Sequence, residues 1–331
     1  MIIDCHAHVI PDGFPDGCHS AHPRLAAPDA TGSRMLTLED VEFLAAPVWF
    51  DADRRLEEMD ASGVDMEVVS PMPPLLNYRL DDETATTVTR HVNESIADLV
   101  AAGSGRIHGL GTVPLQDPDL AAAELFGVAN LGLRGIEVAS HINGVSIGDP
   151  RFRDFFREVE SLGLAVFVHA IRSEVSSRLP QWAGPSFGFA AEASLAAASL
   201  VTGGTLQACP RLRISISHGG GGFLMMAPRA QFFATRKWTR HAGDDEVPEE
   251  SPLALARRLY YDSLTFDTRA IDLIAHRVGI DRILLGSDFP AIARPVPAEW
   301  PLGDFYGGAE GVAVIAGSNA LSFLAIEESG L

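Results

Sequence analysis

The feature that most constrains the fold is an alternation, repeated eight times, of short apolar or β-branched runs with stretches that have helical spacing. The runs, which we expect to form β-strands, are residues 1–6, 64–70, 107–113, 135–138, 165–169, 212–217, 259–262 and 283–286. The stretches expected to form helices are residues 53–62, 82–102, 118–131, 150–162, 189–208, 222–238, 268–278 and 310–326. Such alternation predicts parallel strands joined by crossover helices, and eight repeats predict an α/β fold closed into a (β/α)8 TIM barrel.

An open, doubly wound sheet is the alternative fold with the same alternation. That fold often carries a glycine-rich dinucleotide-binding turn after its first strand, and none follows residues 1–6. The barrel is therefore favoured. The 331 residues suit one barrel with elaborated loops, so we expect residues 1–331 to form a single domain.

Three long, irregular segments follow the first, fifth and eighth predicted strands: residues 9–50, 170–188 and 289–308. In a parallel barrel, the segments after the strands lie together over the C-terminal face, where the active sites of barrel enzymes are found. We therefore expect long loops to shape a site at that face. Residues 239–252 are expected to be a solvated excursion before the seventh strand.

Net charge and composition indicate which kinds of molecule the protein is not expected to bind and where it is expected to be found. The formal net charge is −19, and so acidic a surface repels nucleic-acid backbones and anionic membranes, so neither is an expected partner. The most apolar stretch, residues 190–201, is too short to span a bilayer and contains Glu192. No signal peptide is recognisable at the start of the sequence, and the three cysteines, Cys5, Cys18 and Cys209, cannot all pair. These features favour a cytoplasmic protein.

Two histidines stand near the end of the first predicted strand. His6 and His8 are two residues apart, so alternation along the strand places both imidazoles on one side, with Cys5 and Ala7 on the other. Two imidazoles that converge from one short segment are what a metal ion such as zinc requires.

Three further polar residues stand at the ends of other predicted strands: His169 at the fifth, His218 after the sixth and Asp288 after the eighth. These positions share one rim of a parallel barrel, although they are far apart in sequence. Together with the pair in the first strand, they supply three imidazoles and a carboxylate for a metal ion, and one spare imidazole for a base. The sequence therefore predicts a metal centre at this rim.

Motifs that span nearly the whole chain resemble those of a known family. DCHAH at residues 4–8, VFVHA at 166–170, SHGGGG at 217–222 and GSDFP at 286–290 are similar, in content and in order, to the motifs of the amidohydrolase superfamily. RRLEEMDASGVDMEVVS at 54–70 and GSNALSFL at 317–324 resemble the branch of aminocarboxymuconate-semialdehyde decarboxylase, the "amidohydrolase 2" group.

The resemblance implies a role for each rim residue. His6, His8, His169 and Asp288 would be the ligands of a divalent metal ion, and His218 would be the catalytic histidine beside them that orients or deprotonates a metal-bound water. Barrels of the superfamily with a bridged metal pair carry a modified lysine at the end of the fourth strand, whereas GIEVAS at residues 135–140 has none. We therefore expect one ion, zinc, with manganese as the alternative, because nitrogen and oxygen ligands accept both.

The branch mostly performs nonoxidative decarboxylation of aromatic or unsaturated carboxylic acids. The resemblance thus implies a metal-dependent carboxy-lyase in which His218 and Asp288 handle protons. A hydrolase or hydratase with the same ligands and the same histidine is the alternative within the superfamily. A noncatalytic ligand-binding barrel is the alternative outside enzymes, and the complete set of polar residues speaks against it.

Two residues are predicted to contact a small carboxylic acid substrate. Arg229 stands on the helix after His218, where the resemblance implies a carboxylate-binding arginine contributed by the neighbouring subunit of a homodimer. His141, just past the fourth predicted strand, belongs to the same rim. Arg172 and Arg294 are further cationic candidates on the rim loops.

The segment at residues 42–50 departs from the decarboxylase that names the branch. That enzyme carries a substrate-binding arginine there, whereas EFLAAPVWF contains apolar residues and one glutamate. This difference argues against its semialdehyde substrate and for a more apolar, aromatic one. Candidate pocket residues for such a substrate are Trp49, Phe187, Phe189 and Phe289.

Overall fold

The computed structural model describes residues 1–15, 23–38, 42–171, 178–234 and 250–327. Cys18, Arg172 and most of the predicted excursion at 239–252 lie outside these residues. The strands, in chain order, are β1 (Ile3–Val9), β2 (Arg24–Leu25), β3 (Arg34–Thr37), β4 (Glu42–Ala45), β5 (Met66–Pro71), β6 (Ile107–Gly111), β7 (Gly135–Ala139), β8 (His141–Ile142), β9 (Val145–Ser146), β10 (Ala165–His169), β11 (Arg213–Ile216), β12 (Tyr260–Asp262) and β13 (Ile283–Leu284).

Eight of these strands form one parallel sheet in the order β1–β5–β6–β7–β10–β11–β12–β13. The chain just beyond β13 returns to β1. The amide of Cys5 donates to the carbonyl of Leu285 at 2.8 Å, and the amide of His8 donates to that of Phe289 at 2.7 Å. These bonds close the sheet into a barrel, so the predicted (β/α)8 fold is confirmed.

Helices lie between the barrel strands, as the alternation predicted. They are α1 (Ala52–Ser62), α2 (Asp82–Ala102), α3 (Pro118–Asn130), α4 (Arg153–Ser161), α5 (Phe189–Thr202), α6 (Thr205–Ala208), α7 (Phe223–Ala234), α8 (Pro252–Ala256), α9 (Thr268–Val278), α10 (Gly308–Ala313) and α11 (Asn319–Leu324). Short 3-10 turns occupy Pro47–Trp49, Pro73–Leu75, Pro150–Phe152, His218–Gly220, Ile280–Arg282 and Trp300–Leu302, and π-helical turns occupy Gly184–Gly188 and Val314–Ser318. Aspartate side chains that accept a backbone N–H fix the first turns of α1, α2, α3 and α9.

Two apolar layers hold the barrel. One lies inside it and includes Ile3 of β1, Phe167 of β10 and Leu284 of β13, together with Leu321 and Phe323 of α11. Because α11 packs against the residues near the start of these strands, it plugs the N-terminal end of the barrel. The larger layer lies between the strands and the surrounding helices. Because the N-terminal end is filled, a functional site is expected at the polar C-terminal rim of the barrel.

β1 contains a bulge that changes which side chains face the barrel interior. Its pairing with β5 shifts between Asp4 and Ala7, where β1 has one extra residue. Cys5 packs in the interior layer, and the ring of the next residue, His6, also points inward, 4.8 Å from the ring of Phe167. The prediction that Cys5 faces away from His6 was therefore wrong, because strict alternation fails at a bulge.

The described parts of the long segments after β1, β10 and β13 follow the C-terminal ends of these strands, as expected. The segment after β1 contains a small antiparallel sheet, β2–β3–β4, which the weak periodicity of residues 9–50 did not indicate. A two-stranded hairpin, β8–β9, follows β7 on the same face. Within the described part of the chain, no helix has the length and apolarity that crossing a bilayer demands.

Candidate metal centre

Four side chains converge at the C-terminal rim: His6 and His8 from β1, His169 from the end of β10, and Asp288 from beyond β13. One nitrogen or oxygen atom of each lies within 4.8 Å of those of the others. The Nε2 atoms of His6 and His8 are 3.1 Å apart, and Oδ1 of Asp288 is 3.2 Å from Nε2 of His8. The three imidazoles are buried. The structure thus brings together the four residues that the sequence predicts as ligands.

The tautomers of two of these histidines are set by backbone carbonyls. Nδ1 of His8 lies 3.1 Å from the carbonyl oxygen of Pro71, and Nδ1 of His169 lies 2.7 Å from that of Ala170. Because a carbonyl oxygen only accepts, each Nδ1 carries the proton and each Nε2 a lone pair. Nε2 of His169 is buried without a hydrogen-bond partner among the described residues. A cation at this point would satisfy that lone pair, so the donor set fits a metal ion.

Asp262, the last residue of β12, joins His6 to the turn that carries His218. Its Oδ2 accepts the Nδ1–H of His6 at 2.7 Å and the backbone N–H of His218 at 3.0 Å, and its Oδ1 accepts the N–H of Gly219 at 2.7 Å. A carboxylate behind a ligating imidazole is a common arrangement at metal sites, where it fixes the ring. Asp262 was not predicted, although it ends the seventh predicted strand as His169 ends the fifth.

Burial and nearby charges shift the pKa values of the four residues. Burial lowers the pKa of His6, but the hydrogen bond to Asp262 and the charge of Asp288 outweigh it and raise the pKa to about 9. Burial lowers the pKa of His8, and it lowers the pKa of His169 well below the ordinary value. Burial acts to raise the pKa of Asp288, but the positive charge of His6 holds it below its ordinary value. At neutral pH the group therefore offers a carboxylate and two neutral imidazoles, and metal binding needs the loss of one proton, from His6.

Glu137 of β7 is a buried carboxyl group that was not predicted. Its Oε2 lies 3.7 Å from Nδ1 of His8, and neither oxygen has a hydrogen-bond partner among the described residues. Burial raises its pKa to about 8, although the positive charge of His6 acts in the opposite direction. The fourth barrel strand, β7, thus places a buried carboxyl group close to the predicted ligands.

His218 lies beside the four residues, at the start of the glycine-rich turn. Its ring centroid is 5.1 Å from that of His169, and its ring stacks on Phe189 at 6.1 Å and 16°. Its Nε2 is buried and has no partner in the described part of the chain. The turn needs its glycines, since a Cβ on Gly221, at φ 56°, would lie 1.9 Å from the carbonyl oxygen of Ala190.

His141, predicted to contact substrate, offers a free N–H at the rim. The backbone N–H of Gly144 donates to Nδ1 of His141 at 3.1 Å, so that atom carries the lone pair of a neutral ring and Nε2 carries the proton. Nε2 is buried and has no acceptor among the described residues. It is therefore a donor available to an oxygen of a ligand.

Arg229, the other predicted substrate residue, is exposed on α7. Its guanidinium carbon lies 4.7 Å from the ring centroid of Phe233 on the same helix. Within one chain, Arg229 is thus not one of the groups that meet at the metal centre.

The aromatic candidates divide into packed and exposed side chains. Trp49 is buried against Phe43, with ring centroids 5.2 Å apart. Phe289 is buried beneath the guanidinium of Arg294, and Phe187 is 63% exposed. Phe189 alone among the four contacts the ring of a predicted catalytic residue. Arg294, a cationic candidate on the loop after Asp288, is itself buried and already paired with carboxylates.

Comparisons with known proteins cover nearly the whole chain. Residues 3–326 match the model of the amidohydrolase family Amidohydro_2. A 2-amino-3-carboxymuconate-6-semialdehyde decarboxylase of Dictyostelium discoideum is 28% identical, over 98% of this chain and 92% of its own. A gamma-resorcylate decarboxylase of Rhizobium radiobacter is 30% identical, over 72% of this chain and 76% of its own. The crystal structure of 5-carboxyvanillate decarboxylase from Sphingomonas paucimobilis superposes with a TM-score of 0.74 at 28% identity, covering 83% of each chain.

Proposed function

Because this chain belongs to the amidohydrolase family, we propose that it is a metal-dependent decarboxylase that releases CO2 from an aromatic or unsaturated carboxylic acid without oxidation. The observation that carries the proposal is the convergence of three imidazoles and one carboxylate, within 4.8 Å of one another, at the active-site end of a barrel. The decarboxylase activity of its relatives supports the choice of reaction. We further propose that residues 1–331 form one catalytic domain.

His6, His8, His169 and Asp288 would hold one divalent ion. Zinc suits three nitrogen donors and one oxygen donor, and manganese is the alternative. When bound, the ion would supply positive charge that polarises a substrate oxygen and lowers the pKa of water.

Decarboxylation replaces the bond between the substrate carbon and its carboxylate with a C–H bond, so one proton must reach that carbon as CO2 leaves. Nε2 of His218 and the carboxyl group of Asp288 are the proton handlers that we propose. Both residues adopt left-handed backbone conformations, at φ 53° and 62°, which are uncommon outside glycine and cluster at functional sites. The ring of Phe189, which lies nearly parallel to that of His218 at 6.1 Å, offers an apolar wall to an aromatic ring.

Substrate oxygens would be bound by His141 and Arg229. The unpartnered Nε2–H of His141 can donate to a carboxylate or hydroxyl oxygen. We propose that Arg229 acts on the site of a neighbouring subunit in a homodimer. Its exposure on α7, beside Met225 and Met226 at 68% and 50% exposed, supports a surface that a second copy covers. We also propose a cytoplasmic location, which two free, buried cysteines support.

The test is CO2 release by the zinc- or manganese-loaded enzyme from a panel of acids: gamma-resorcylate, 5-carboxyvanillate and 2-amino-3-carboxymuconate-6-semialdehyde. Running the reaction in D2O should place deuterium on the carbon that lost its carboxylate. His218→Gln, which keeps the four ligands, should bind metal normally and lose the activity. Release of acid from esters or lactones, or addition of water, without CO2 would instead establish the hydrolase or hydratase.

A further inference from the structure

Four charged side chains form a buried group on the outer side of β1 and β5, beneath α1. They are Asp4, Arg55, Glu67 and Arg294, which we call the charge quartet. Their side chains are between 0% and 3% exposed. Arg55 pairs with Glu67 at 2.8 Å, and Arg294 pairs with both Asp4 and Glu67. Two cations offset two anions, so the group carries no net charge.

Asp4 connects this quartet to the strand of the histidine ligands and to the turn of the carboxylate ligand. Its Oδ1 accepts the backbone N–H of His6 at 3.2 Å and that of Ser287 at 3.1 Å. Its Oδ2 accepts the hydroxyl of Ser287 and the Nε–H of Arg294, the latter at 3.0 Å. Asp4 therefore links β1 to the turn after β13, which are the two segments that meet where the barrel closes.

The closure also fixes the backbone of Asp288. Its N–H donates to the carbonyl of His6 at 2.7 Å, and its φ of 62° needs support from the surroundings. The hydroxyl of Ser287, held by Asp4, accepts the N–H of Phe289 at 3.2 Å. The hydrogen bonds of Asp4 and Ser287 thus brace the turn on each side of Asp288.

Arg294 ties the proline-rich loop at 289–301 to this arrangement. Its guanidinium donates through Nε to Asp4 and through Nη2 to Glu67, and it lies 4.2 Å over the ring of Phe289. A forked, planar cation can serve both carboxylates at once, which a lysine ammonium cannot do with the same geometry. Because it is buried and paired on the outer side of the strands, Arg294 is not placed to bind a substrate.

We propose that Arg294 is a positioning residue which, through Asp4 and Ser287, sets Asp288 against the histidines of β1 and thereby sets the affinity for metal. The proposal rests on the metal centre proposed above. Without Arg294, two buried carboxylates share the single cation of Arg55, and their repulsion is relieved by movement of Asp4 and of the turn that it holds. The function of the proline-rich loop is then to hold Arg294 in this position.

The test compares wild-type protein with Arg294→Met and Arg294→Lys. The control is Arg282→Met, because Arg282 also pairs with an aspartate and lies 5.0 Å over the ring of Tyr260, far from the ligands in the fold. Zinc affinity is measured by competition with a chromophoric chelator. The absorption spectrum of the cobalt-loaded protein reports coordination geometry, and the melting temperature is recorded with and without metal.

Arg294→Met should weaken zinc binding by about 10- to 100-fold, the usual effect of losing a residue that orients a ligand, and should change the cobalt spectrum. Arg294→Lys should retain part of the zinc affinity and part of the wild-type cobalt spectrum. Arg282→Met should change neither the affinity nor the spectrum. Wild-type affinity and spectrum in Arg294→Met, even with a lower melting temperature, would overturn the proposal. If that variant does not fold, wild-type affinity and spectrum in Arg294→Lys would overturn it equally. A wild-type protein that binds no metal would refute the proposed metal centre instead.

Discussion

Replacement of Asp262 by asparagine should weaken both the fold and the metal centre. Oδ2 accepts two N–H groups, from His6 and His218, and Oδ1 accepts two more, from Gly219 at 2.7 Å and Leu264 at 3.2 Å. Whichever oxygen becomes an amide NH2, two donors lose their acceptor. Hydrogen bonds to charged groups contribute about 1.5–3 kcal/mol each, so the metal-free protein should lose about 3–6 kcal/mol of unfolding free energy.

The same change releases the ring of His6 from the carboxylate behind it. We expect zinc affinity to fall by about 10- to 100-fold, equivalent to about 1.4–2.7 kcal/mol. Asp267→Asn is the matched control, because Asp267 caps α9 and asparagine caps helices equally well. The assays are urea unfolding of the metal-free protein and zinc competition with a chelator. If the unfolding free energy of Asp262→Asn were within about 0.5 kcal/mol of wild type and its zinc affinity were unchanged, Asp262 would not have the role proposed for it behind His6.

Three further predictions concern catalysis, folding and assembly. His218→Gln should lower kcat by about 100- to 10,000-fold while one metal ion per chain remains bound, and an unchanged kcat would remove His218 from the mechanism. Gly221→Ala should prevent folding or lower the melting temperature sharply, because its Cβ would lie 1.9 Å from a carbonyl oxygen, whereas Gly127→Ala on α3, with open space, should be neutral or stabilising by up to about 1 kcal/mol. Met225→Asp should convert a dimer into monomers in sedimentation velocity, and a monomeric wild type would contradict the proposed homodimer.

The alternation of apolar runs was enough to predict the barrel and to place most of the described element boundaries to within about three residues, although the predicted helices at 189–208 and 310–326 are each interrupted. The fifth predicted strand, 165–169, and the predicted helices at 82–102 and 268–278 match β10, α2 and α9 at both ends. The small sheet β2–β3–β4 was not predicted, because its strands are two to four residues long and their pattern is too short to distinguish from a loop.

The four residues of the candidate metal centre could be picked out from the sequence because each stands at or near the end of a predicted strand and carries a distinctive side chain. The residues that hold these side chains in place could not be predicted. Asp262 is 256 residues from His6, and Arg294 is 290 residues from Asp4, so no local pattern links them. The bulge in β1 also escaped prediction, since a single extra residue is visible only once the pairing with β5 is known.

The most direct test of the metal centre is elemental analysis of the purified protein beside a His6→Ala/His8→Ala double variant. About one zinc or manganese ion per chain in the wild type, lost in the variant, is the result that we predict. A wild-type protein that contains no metal and also fails to bind added zinc or manganese would show that these four residues do not form a metal centre.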